Sequence, residues 1–232
     1  MSIRKVPFVA GEYYHIFNRG NNKQEIFLDD EDRERFIKLL YLFNSTKKNI
    51  KFRDHIADRK IDVWDFERGD RLVSIGAWVL MPNHFHLYIT FPEGLAFGAE
   101  DKKENNISIF MQKLCTSYTM YFNKKHRRSG ALFEGKFKSV HVGNDIQAKY
   151  LFSYIHLNPI KLIQSDWKEK GINDSQLAIN FLDSYKWSSY FDFSGVKRKE
   201  NLLLNKENFP DYFSTKEKFK KEVFEWIEVK EE

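Results

Sequence analysis

Residues 78–91 read WVLMPNHFHLYITF, two apolar runs separated by Met81-Pro82-Asn83. A connection this short makes the runs antiparallel neighbours, so strands are expected over 71–80 and 84–91. Side chains alternate across a strand, which puts His84 and His86 on one face while Phe85 and Leu87 turn to the core on the other. Two histidines at i and i+2 have Cα atoms about 6.5–7 Å apart, close enough for both imidazoles to reach one cation. A pair of half-exposed histidines on the open face of a sheet satisfies the same spacing, so spacing alone does not choose.

Working outward, residues 8–18 are aromatic and β-branched and stop at Asn18-Arg19-Gly20-Asn21, the pattern of a strand and a turn. Asp29 and Asp30 then stand as caps before Phe36, Leu39, Leu40 and Phe43, spaced as an amphipathic helix. Ile107, Phe110, Met111, Leu114, Tyr118 and Tyr121 repeat at helical spacing toward Lys125, and residues 131–142 alternate as a strand. Asn144 or Asp145 caps a further helix that Pro159 must end. The order β-α-β-β-α-β-α indicates an α+β fold, a ferredoxin-like or RNA-recognition-like antiparallel sheet with helices on one face, plus a C-terminal helical elaboration. We expect one domain over 1–195, with a polar insertion at about 46–70, followed by a charged, helical tail over 196–232. From 197 onward nine Lys or Arg balance nine Asp or Glu, so that tail is no obvious nucleic-acid arm.

Composition sets the bounds. At 232 residues and 42% hydrophobic, the chain can bury a substantial core. Cys115 is the only cysteine, which excludes an internal disulfide framework and a thiolate cluster. The start of the sequence lacks an apolar leader and no stretch approaches a bilayer span, so a cytoplasmic location and no membrane partner are expected. The net charge of +5 suits a polyanionic partner without requiring one.

A second constellation lies at YLFSYIHLNP, residues 150–159. Tyr154 and Asn158 are four residues apart and so share a helix face at about 6 Å. A phenol and a carboxamide oxygen there offer a nucleophile and a ligand; a packed Tyr and a capping Asn are the ordinary alternative. Near these groups in the sequence, Lys124, Lys125, Arg127, Arg128, Lys136 and Lys138 face the single acid Glu134, a local charge able to bind phosphates. Arg19 and Asn21 are further candidates. His15 alternates onto a face the spacing leaves open, Tyr88 shares the histidine face, Trp187 and Tyr190 look like core anchors, and His156 points away from Tyr154 and is expected to be peripheral.

Together these blocks resemble a family: the single-tyrosine HUH transposases of the insertion-sequence class, including the REP-associated tyrosine transposases. The resemblance rests on YYHIFNRGNNKQEIF (13–27), AWVLMPNHFHLYI (77–89), SGALFEGKFKSVHV (129–142), YIHLNPIK (154–161) and YKWSSY (185–190), in the family's order. The hydrophobic position between the histidines is Phe85. The resemblance implies the HUH nuclease fold and a metal-dependent transposase or endonuclease that cleaves and rejoins single-stranded DNA bearing a hairpin. It implies that Tyr154 forms a 5′-phosphotyrosine and that His84, His86 and Asn158 hold one Mg or Mn ion. It leaves open the DNA sequence cut and whether a monomer or a homodimer acts. A non-catalytic nucleic-acid module with an RNA-recognition-like sheet, and a phosphoesterase that uses water, are the competing readings. The insertion and the tail lie outside the resemblance.

Overall fold

The computed structural model describes residues 7–91, 106–211 and 215–228. Four strands, β1 (Tyr13–Arg19), β2 (Ser74–Met81), β3 (His84–Thr90) and β4 (Lys138–Val142), form one antiparallel sheet in the order β2-β3-β1-β4. Helix α1 (Asp30–Phe43) joins β1 to β2, and α2 (Asn106–Lys125) precedes β4. This is the ferredoxin-like arrangement that the alternation of strands and helices called for. On β3 the register sets His86 opposite Phe17 and His84 opposite Arg19.

Both first helices are anchored electrostatically. Asp29 caps α1 by accepting from the Asp32 amide at 2.9 Å, and Asp30, Glu31 and Asp32 complement the positive end of its dipole. Lys125, in the last turn of α2, places its ammonium 2.7 Å from Asp29 and 3.0 Å from the buried Asp32. The apolar stripes of the two helices, among them Phe36, Leu40, Phe110, Leu114 and Tyr118, then close over Trp78, Phe85 and Leu87.

The other face of the sheet is covered as well, which differs from the expectation of helices on one side only. Helix α3 (Asp145–Leu157) crosses β2 and β3 and packs Leu151, Phe152 and Ile155 against Ala77, Val79 and Tyr88. The short α4 (Trp167–Lys170), α5 (Ser175–Leu182), α6 (Tyr190–Phe193) and α7 (Lys216–Glu228) extend that layer with Trp167, Leu182, Tyr190, Phe219 and Val223. The physical sign is in β2: SIGAWVLM is buried at all eight positions, the pattern of a strand covered twice.

Segment 187–189 seals the outer edge of β2. Leu80 donates its amide to the Trp187 carbonyl at 2.9 Å, and Ser189 exchanges backbone and hydroxyl bonds with Trp78. The same Ser189 hydroxyl meets His156, which is fully buried and also bonds the Phe152 carbonyl at 2.8 Å. His156 is therefore not peripheral: pointing away from Tyr154, it points into the core beneath α3.

Further details of the fold have local causes. Residues 131–137 do not extend β4, because Gly130 and Gly135 take positive φ (84° and 149°) and break the ladder after an isolated bridge from Phe133 to Gly20. At Pro159 the helix tightens into a 3-10 turn, Asn158–Leu162, whose first-turn position needs no proline N–H. Described residues of the expected charged, helical tail pack on the body. Leu204 pairs with Ile75, Arg198 grips Asp192 at 2.6 Å, and Phe219 and Val223, four apart, bury one face of a charged helix. Within the insertion, Ile56 and Val63 enter the core and the Arg68 guanidinium lies 3.9 Å over the Tyr41 ring.

Asn44, at the end of α1, holds both the amide and the carbonyl of Val73 at 2.9 and 2.8 Å in a buried setting. Asn44→Ala leaves two buried backbone groups unmade and is expected to cost about 2–4 kcal/mol in urea unfolding; an unchanged midpoint would show that this tether is dispensable.

Candidate active site between β3 and α3

Because α3 packs on the histidine face, Tyr154 in its last turns lies beside the histidines of β3. Tyr154 presents its ring edge to His86 with centroids 5.4 Å apart, and His84 and His86 lie 5.0 Å apart at right angles. The Asn158 carboxamide, fully buried, sits against both the His84 ring and the Tyr154 phenol, close enough to perturb the titration of each. Thus the two pairs singled out in the sequence converge within one chain.

Neighbouring groups orient the imidazoles. Asn83 donates from Nδ2 to the Lys23 carbonyl at 3.1 Å, which turns its Oδ1 to His84 Nδ1 at 2.5 Å. A carboxamide oxygen only accepts, so His84 carries its proton on Nδ1 and keeps a lone pair on Nε2. His86 Nδ1 meets His15 Nε2 at 2.8 Å, and its Nε2 is buried with no hydrogen-bond partner among the described residues. Asn158 Oδ1 and Nδ2 are likewise buried without a hydrogen bond of good geometry. His15, whose face the alternation left open, thus belongs to this cluster; a strand register linking it diagonally to His86 is visible only in three dimensions.

The electrostatics favour uncharged imidazoles. Burial, reinforced by Lys161 and Arg19 and opposed by Asn158, pushes His84 down to about 4; burial with Lys168 does the same for His15. His86 is driven well below 6.5 by burial and then by the neighbouring His15 and His84. Tyr154 is raised by burial, an effect the Asn158 carboxamide partly offsets. Over the Tyr154 ring stands the Lys168 ammonium at 3.6 Å, itself lowered to about 8 by burial and by Lys161. Lys161, flanked by Ile160 and Leu162, and Lys168, in SDWKEK, belong to no basic cluster that would single them out in the sequence.

Among the described residues no group of three or more His, Cys, Asp or Glu is arranged around a cation. The donor set here is different: two neutral imidazoles and a carboxamide, with His86 Nε2 and Asn158 Oδ1 lacking any other use for their lone pairs. Such a set fits a divalent ion held loosely enough to keep positions open for other oxygens.

The basic residues are dispersed. Arg19 lies beside His84 in the register but is clasped by Glu134 through both nitrogens, the Nη2 contact at 2.9 Å. Lys125 is spent on Asp29, Glu31 and Asp32, so its charge anchors α2 to α1 and does not stand free for a phosphate. Arg128 stacks 5.6 Å over Phe122. Lys124, Arg127, Lys136 and Lys138 are exposed, Lys138 on edge strand β4 opposite Phe17, and Asn21 is exposed in the turn after β1. No helix among the described residues is long and apolar enough to cross a membrane.

No family model matches the chain, and no curated protein does. Among solved structures, the chain is similar to a REP-associated tyrosine transposase bound to a REP hairpin, with a TM-score of 0.50 and 15% identity over 86% of this chain and 90% of that one. The fold is therefore of the class found in that transposase: an α+β ferredoxin-like sheet layered by helices.

In protein treated with a chelator, His15 and His84 should titrate near pH 4, and long-range 1H–15N spectra at pH 6.5 should show His84 protonated on Nδ1. Midpoints near the ordinary 6.5 would contradict the burial that the packing imposes. The linked effect on stability has a fixed sign. Groups held neutral below their unfolded value contribute fully above pH 6.5, and that contribution is lost as the pH falls toward 4.

Proposed function

We propose that this protein is a metal-dependent transposase or endonuclease acting on single-stranded DNA, which it cleaves and rejoins through a 5′-phosphotyrosine at Tyr154. The observation that carries the reading is the meeting of the Tyr154 phenol with the unpartnered lone pairs of His86 and Asn158. Packing alone has no use for that combination, whereas phosphoryl transfer does. Support for a hairpin-bearing strand as substrate comes from the similar fold of a transposase bound to a REP hairpin.

His84, His86 and Asn158 would hold one Mg or Mn ion, which when bound withdraws charge from a scissile phosphate. Tyr154 supplies the nucleophile. Its oxygen forms a bond to phosphorus as the bond to the 3′-oxygen breaks; the phenol proton is released and the 3′-oxygen leaves as a hydroxyl. The phosphate ester energy is kept in the tyrosyl bond, so the reverse attack by a 3′-hydroxyl rejoins DNA without a nucleotide cofactor. A buried phenol is a weak nucleophile, and the Asn158 carboxamide eases its ionisation. Lys161 and Lys168 bring positive charge to the place a phosphodiester must occupy, while exposed Lys136 and Lys138 on and before β4 can follow its backbone. Since Tyr154 and the histidines meet within one chain, the arrangement supports cleavage without exchange of tyrosines between protomers.

The reading as a non-cutting module needs an open sheet on which bases can stack. Helix α3 occupies β2 and β3 on the histidine face, and α1 and α2 occupy the other, so that surface is reduced to the β1–β4 margin.

Incubation with Mn and a labelled hairpin-bearing single strand is expected to give an adduct that survives denaturation, lost in Tyr154→Phe and in His84→Ala. An adduct persisting in Tyr154→Phe would remove the tyrosine from the mechanism. Cleavage without any adduct would instead indicate a phosphoesterase that activates water.

A further inference from the structure

His15 is not needed as a nucleophile, a ligand or a phosphate contact in the reading just given, yet it is a mostly buried polar side chain at the centre of the cluster. In the sheet register His86 lies directly opposite Phe17, so His15 is its diagonal neighbour on the same face. That geometry brings His15 Nε2 to 2.8 Å from His86 Nδ1. The two rings are 4.9 Å apart, and the Phe17 and Tyr154 rings lie 4.8 and 6.2 Å from His15, each of them also beside His86.

Resting on the metal-binding reading above, we propose that His15 is a positioning residue: it accepts the Nδ1 proton of His86 and thereby holds that imidazole in the tautomer whose Nε2 lone pair can bind a divalent cation. A neutral imidazole has one donor and one acceptor nitrogen, and which is which follows from the hydrogen bond that one of them makes. His84 receives the same service from Asn83 Oδ1. Each histidine of the pair is thus oriented by a neutral acceptor on its Nδ1 side. Both acceptors carry no charge, which distinguishes the site from those whose histidines lean on carboxylates. Without His15, the buried Nδ1 proton of His86 loses its acceptor, and the tautomer with the proton on Nε2, which cannot bind a metal through that nitrogen, gains population.

The test is Mn affinity of the full chain without DNA, read from free Mn by electron paramagnetic resonance, alongside the His86 tautomer read from 15N spectra of the metal-free protein. His15→Phe keeps an aromatic ring between Phe17 and Tyr154 but offers no acceptor, and is expected to weaken Mn binding about 10–100-fold and to mix the His86 tautomers. His15→Gln, whose carboxamide oxygen can accept, should restore most of the affinity and the Nδ1-protonated form. Wild-type affinity and an unchanged tautomer in His15→Phe would overturn the inference while leaving the metal site standing. Equal losses in His15→Phe and His15→Gln would also overturn it, because shape rather than the acceptor would then be what matters. Equal Mn affinity in the wild type and His84→Ala would remove the metal site itself and this role with it.

Discussion

Strand β3 is packed from both sides, and everything of interest in this protein follows from that. Its odd-numbered residues Phe85, Leu87 and Ile89 enter the core under α1 and α2, while His84, His86 and Tyr88 face α3. In a sheet with one open face the even-numbered set would sit in water, where imidazoles titrate normally and hydrogen-bond freely. Here His86 is 6% exposed and its Nε2 has no partner. Burying an imidazole without a full set of hydrogen bonds opposes folding, and the apolar residues on the opposite face of the same strand offset it. That cost falls beside Tyr154 and Asn158, the groups the proposed function uses.

Much of the fold was legible in the sequence, for reasons tied to particular residues. Phe36, Leu39, Leu40 and Phe43 declare α1, Asn144 marks the start of α3, and Met81-Pro82-Asn83 is too short for anything but a hairpin. What escaped was the second layer. SIGAWVLM has no polar alternation, but a short apolar run does not by itself say which elements cover its second face. Phe219 and Val223 lie on a helix with four Lys and four Glu among its thirteen residues, a charge density that conceals an apolar stripe. Glycines 130 and 135 interrupt a segment whose alternation otherwise reads as strand, because φ does not show in a pattern of polar and apolar letters.

For the candidate site, the sequence singled out His84, His86, Tyr154 and Asn158, and the fold brings them side by side. His84-Phe85-His86 and Tyr154 with Asn158 are visible as spacings, since each pair lies within one element. His15 and Asn83 come from other places in the chain and act through single hydrogen bonds, which no spacing encodes. The reverse holds for the basic stretch from Lys124 to Lys138. Its density of charge is real, but Lys125 answers the acidic start of α1, and Glu134 beside it clasps Arg19, so local composition overstates what is free to meet phosphate. A lysine far from that stretch, Lys168, stands over the tyrosine instead.

The central claim is that the histidine pair of β3 and the tyrosine–asparagine pair of α3 surround one cation position. Crystals grown with Mn and measured at its absorption edge test this directly. The account requires an anomalous peak within bonding distance of His84 Nε2, His86 Nε2 and Asn158 Oδ1, with the Tyr154 hydroxyl beside it. A peak held by surface carboxylates, with the Nε2 atoms of both histidines left bare, would contradict it.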